Sequence, residues 1–194
     1  MAKSKLGVIE EFGGQVENAV GVVTREQVMA GAEALTDKTN GKTISLWVRD
    51  AIDRLDALAP EPARLKIMEA CGYNCVHHNS SVIARGKARR AKFDNVEAFL
   101  AAEVRKPRVG TRLERNDNVL IQSYTPTSFS HPMRCFCGLL RDLPADVQVS
   151  STYCNCSKAF VQTYWSEVLG HPVQVTILET AVTGSTECKF KVIL

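Results

Sequence analysis

Seven cysteines stand among 194 residues, and six of them form close pairs. Cys71 and Cys75 are four positions apart, Cys135 and Cys137 two, and Cys154 and Cys156 two, while Cys188 stands alone. Residues four apart share a face of a helix, and residues two apart on extended backbone point the same way. Paired thiols on one face suit shared metal coordination or dithiol redox chemistry. An odd cysteine count argues against a complete disulfide framework, and thiolate-rich coordination favours zinc, or another thiophilic metal, over magnesium or calcium. One carboxylate, Glu179, follows Cys156 by 23 positions. Cys154, Cys156, Glu179 and Cys188 are therefore the first candidate ligands, and Cys135 and Cys137 the next. The competing role for each cysteine is a small apolar core residue.

Cys75-Val76-His77-His78 sets imidazoles beside a thiol, so Cys71, Cys75 and His78 form a candidate second thiol or metal site. His131 lies in a loop before Pro132. Arg85, Lys87, Arg89, Arg90 and Lys92 form a basic run. No aromatic residue interleaves with these charges, which marks a solvated helix face rather than a nucleic-acid surface. A Ser-His-Asp order, a nucleophile elbow, a P-loop and a dinucleotide fingerprint are all missing.

The elements that must position these residues divide at Pro107. Before it, the patterns are helical. Thr24 to Gln27 forms a capping box for a helix to about Leu35. Ile44, Val48, Ala51, Ile52, Leu55 and Leu58 make one apolar stripe. Pro62 opens a helix carrying Leu65, Ile67, Met68 and Cys71. Two more helices are expected over 80–91 and, behind Asp94 as a cap, over 95–106. After Pro107, residues 111–115 and 119–124 alternate around Asn116-Asp117 as a hairpin. A loop is expected over 125–132, a helix over 157–169 and strands over 173–178 and 188–194. The expectation is an α/β (α+β) chain in which a helical part, 1–106, packs on an antiparallel sheet within 107–194, forming one compact domain.

Hydrophobic content of 45% and charged content of 23% are those of a soluble globular protein. A net charge of +3 does not by itself imply nucleic acid. No secretory h-region and no run of 18 apolar residues is seen, so the expectation is a cytoplasmic, stand-alone protein without a membrane span.

The last third resembles the 4-vinyl reductase domain, in its cysteine-rich branch. The matching residues are Cys156, the helix to Leu169, Gly170-His171-Pro172-Val173, Glu179, and Gly184 through Cys188 to Phe190. The resemblance covers about residues 111 to 194. It implies Cys156, Glu179 and Cys188 as zinc ligands, with Val182 standing where the family has a fourth. It further implies a small-molecule pocket between helices and sheet, with Trp165, Tyr164, Phe160, Phe136 and Tyr153 as wall residues, and a homodimer. The function expected on this basis is a zinc-binding protein with a small ligand. The alternatives are a metal- or cysteine-dependent hydrolase or lyase of a small compound, and a thiol redox sensor.

Overall fold

The computed structural model describes residues 3–108, 110–126 and 133–194. His131 and most of the loop expected over 125–132 lie outside the described residues.

The first half is helical: α1 (Lys5–Val20), α2 (Val22–Val28), α3 (Gly41–Leu58), α4 (Glu61–His78), α5 (Ser80–Arg90) and α6 (Val96–Arg105). The second half supplies β1 (Thr111–Asn116), β2 (Val119–Tyr124), α7 (Asn155–Leu169), β3 (Gln174–Glu179) and β4 (Cys188–Ile193). The four strands form one antiparallel sheet in the order β1-β2-β4-β3. The architecture is α+β, as the periodicities imply.

Local chemistry explains most boundaries. Ser4 caps α1 by accepting from the Gly7 N–H at 3.1 Å, and Asn40 caps α3 through the Thr43 N–H at 2.9 Å. Asn95 caps α6, taking the role expected of Asp94. The Thr24 capping box does not form. Gly21, at φ 87°, breaks the chain between α1 and α2, so α2 starts at Val22 and Thr24 lies inside it. Pro62 sits in the first turn of α4, and that helix continues through Gly72 to His78.

Two apolar clusters fill the molecule. The first joins α1, α3 and the first half of α4 to the irregular connector between 135 and 149 and the 3-10 turn Ser151–Cys154. The second packs α5, α6 and α7 on the sheet. Helices α4 and α7 lie side by side between them. Gly72 makes that approach: a Cβ there would stand 2.3 Å from the Cys156 carbonyl oxygen and 2.7 Å from Ala159 Cβ. Trp165, 1% exposed, fixes α7 to the sheet through its indole N–H, which donates to Gln122 Oε1 at 2.8 Å.

Candidate functional site

Helix α4 brings Cys71 and Cys75 to one face, one turn apart. Against that face stand Cys137 from the connector and Cys156 from the first turn of α7. All four line a single cavity of about 80 Å³. Its remaining wall is apolar: Val8, Ile9 and Phe12 from α1, Trp47, Val48, Ala51 and Ile52 from α3, and Met68, Leu139 and Tyr153. No charged side chain lines it.

The connector has no regular structure around Cys137, so side chains must hold it. Ser45 Oγ, buried in α3, donates to the Leu139 carbonyl at 2.8 Å. Thr152 Oγ1 donates to Asp56 Oδ1, also on α3, at 2.7 Å. The Val149 N–H donates to the Val182 carbonyl at 2.9 Å. Two of these anchors flank the stretch between Cys137 and Tyr153. The Cys137 sulfur and the Tyr153 hydroxyl lie 3.0 Å apart, and the hydroxyl is the stronger donor of the two. Asn79 Nδ2 approaches Cys75 Sγ at 3.6 Å.

Burial governs the thiols. It pushes Cys71 up to about 12, and Cys156 well above the ordinary cysteine range. Desolvation likewise raises Cys75 and keeps the Tyr153 phenol a neutral hydroxyl.

The other thiols sit elsewhere. Cys135, Cys154 and Cys188 are buried, and none of them lines the cavity. The Ala181 N–H donates to Cys188 Sγ at 3.4 Å. Burial pushes Cys154 up to about 12 and raises Cys135 and Cys188 too; neighbouring thiols add to the effect at Cys154 and Cys135, and the Glu187 and Glu179 carboxylates at Cys188. Each two-apart pair is therefore split, one member at the cavity and one behind its wall. The physical reason at Cys154 and Cys156 is helical backbone. They straddle the join between a 3-10 turn and α7, where residues two apart differ by about 200° in direction. Cys135 and Cys137 lie on irregular, bent backbone rather than in a strand, so the extended-chain rule does not hold there either.

The expected zinc site does not assemble. Glu179 is on β3 opposite Lys189 of β4, and the two side chains form an ion pair on the outer face. Cys188, the residue before Lys189 on β4, points to the core. Cys156 lines the cavity on the far side of α7 from the sheet. Among the described residues no group of three or more His, Cys, Asp or Glu is placed to hold a metal ion. Val182 is a buried core residue with 1% exposure. His78 is occupied by Glu11, its Nε2 being 2.9 Å from Oε2.

Of the residues expected to wall a ligand pocket, Tyr153 lines the cavity. Trp165 and Phe160 lie in the second core, Tyr164 accepts from Arg89 Nη2 at 2.9 Å, and Phe136 packs edge-on against Tyr124. The sequence reading did not single out Phe12, Trp47 or Ala51 as wall residues. One signal for Ala51 was present: it is the small member of an otherwise bulky stripe on α3. The basic run is largely used internally. Lys87 pairs with Glu167, Arg89 with Glu103, and Arg90 donates to the Phe93 carbonyl.

No family model and no curated protein sequence matches the chain. Among solved structures it is similar to an H-NOX protein from S. oneidensis in the Fe(II)NO ligation state, at 12% identity and TM-score 0.44, covering 97% of each chain. It is also similar to the H-NOX from Shewanella woodyi in the Fe(II)CO ligation state, at 8% identity and TM-score 0.46, covering 97% of this chain and 93% of that one. The 4-vinyl reductase resemblance is corrected: no family model matches the chain, and the ligand set it implies, Cys156, Glu179 and Cys188, is dispersed. Zinc as cofactor falls with it. Among the described residues, no helix is long and apolar enough to cross a membrane.

Proposed function

We propose that this chain binds a small, uncharged, largely apolar molecule in the cavity between α1, α3, α4 and the connector. The observation that supports this reading is the cavity itself, about 80 Å³ with an apolar and thiol-bearing wall. Apolar wall surface left in contact with water costs free energy in proportion to its area. A ligand of a handful of heavy atoms recovers part of that cost. A charged ligand would be desolvated without a partner, which selects against ions.

Xenon tests the reading without assuming a ligand. Crystals held under xenon pressure are expected to show density between Phe12, Ala51 and Cys156. Ala51→Leu, which places a larger side chain in the space, is expected to remove it. Xenon absent from the wild-type cavity would overturn the proposal.

A further inference from the structure

Four thiols around one apolar space are not chemically equivalent. Cys71 and Cys156 are partly exposed in the cavity wall, as Cys137 is, but desolvation disfavours their thiolates. Cys75 is exposed at the cavity edge, with the Asn79 amide 3.6 Å from its sulfur. Cys137 is half-buried, faces the cavity, and has the Tyr153 hydroxyl 3.0 Å from its sulfur. Both ends of that pair are pinned to α3, by Ser45 at Leu139 and by Asp56 at Thr152, so sulfur and hydroxyl are held together before anything binds.

We propose that Cys137 is a covalent capture site for small uncharged electrophiles, such as α,β-unsaturated ketones and aldehydes, that enter the cavity. This rests on the cavity being a binding site. In the reaction the Cys137 sulfur adds to the β-carbon of the ligand. A carbon–sulfur bond forms as the carbon–carbon π bond breaks, and the thiol proton ends on the α-carbon. The addition is balanced without an oxidant, a reductant or a leaving group. The Tyr153 hydroxyl donates to the sulfur and so favours the thiolate that must form before attack; as the carbon–sulfur bond forms, the negative charge passes to the ligand's carbonyl oxygen until the proton reaches the α-carbon. The apolar wall concentrates the electrophile and holds it beside the sulfur, converting an encounter into a local reaction.

The test is site-resolved labelling of the reduced protein, followed by peptide mass mapping. Methyl vinyl ketone is small and uncharged, and a sulfonated maleimide is large and charged. Methyl vinyl ketone is expected to label Cys137 about tenfold faster than Cys71 or Cys156, because only Cys137 combines cavity access with a held donor. Butanone, the saturated and unreactive counterpart, is expected to slow that labelling by occupying the cavity. The sulfonated maleimide is expected to label Cys75 and spare Cys137. Tyr153→Phe is expected to slow addition at Cys137 while leaving xenon in place. Equal rates at Cys137, Cys71 and Cys156, or no protection by butanone, would overturn the capture site. Xenon bound but Cys137 unreactive sinks this inference alone, whereas a cavity that takes no xenon removes the binding reading beneath it.

Discussion

At the scale of single residues, burial dominates the chemistry of the thiols. Cys71 and Cys154 are both pushed up to about 12 in the folded chain, from an ordinary value of 9.0. Above pH 9 the unfolded chain gives up these protons while the folded chain keeps them, so the unfolded state is favoured as pH rises. The stability that these thiols lend is complete below about pH 9 and drains away toward pH 12. Each contributes a slope of about 1.4 kcal/mol per pH unit in that window. Urea denaturation in reducing buffer at pH 8, 9 and 10 is expected to show this loss. The Cys71→Ala, Cys154→Ala double variant should start less stable but decline less steeply. A second residue-scale expectation concerns Trp165. Trp165→Phe removes the donor to Gln122, which is 6% exposed, and strands its carbonyl. The cost should be about 1–3 kcal/mol by denaturant titration.

At the scale of elements, two glycines in helices make opposite forecasts. Gly72 touches the backbone of α7, and Gly72→Ala forces α4 and α7 apart at a cost of about 1–3 kcal/mol. Gly14, inside α1, has open space where its Cβ would go. Gly14→Ala should stabilise by about 0.5–1 kcal/mol through helix propensity alone. Equal effects from the two would contradict the packing described. Elements were also what the sequence displayed best. The stripe from Ile44 to Leu55 gave α3, and the alternation around Asn116-Asp117 gave the hairpin. What stayed hidden was direction. The pairs Cys135/Cys137 and Cys154/Cys156 read as claws on extended backbone, but bent backbone and a helix start point their members apart. Glu179 and Cys188 looked convergent in sequence, yet a break in the β3 register between Ile177 and Glu179 pairs Glu179 with Lys189, on the face of the sheet opposite to Cys188. Spacing alone cannot reveal this, because it depends on the backbone state at those few positions. The cavity was equally hidden, since Phe12, Trp47, Cys137 and Cys156 come from four separate segments.

At the scale of the whole molecule, the two apolar clusters share a seam along α4 and α7. Residues on both sides of position 107 contribute to each cluster. The chain's two tryptophans report on them separately: Trp47 at the cavity wall and Trp165 beneath the sheet. Single-tryptophan variants, Trp165→Phe and Trp47→Phe, are each expected to show the same denaturation midpoint by fluorescence and by circular dichroism. Midpoints that separate within one variant would mean that the clusters melt independently. The same seam has a consequence for ligand choice. Gly72 lies next to Cys71 on α4 and against Cys156 on α7, so the closeness of the helices sets the breadth of the cavity between those sulfurs. A larger residue at 72 does not enter the space; it pries the walls apart. On the proposed binding role, position 72 is expected to set the size of guest admitted from behind the wall, so that a lineage of such chains could change its ligand without altering any atom that touches it.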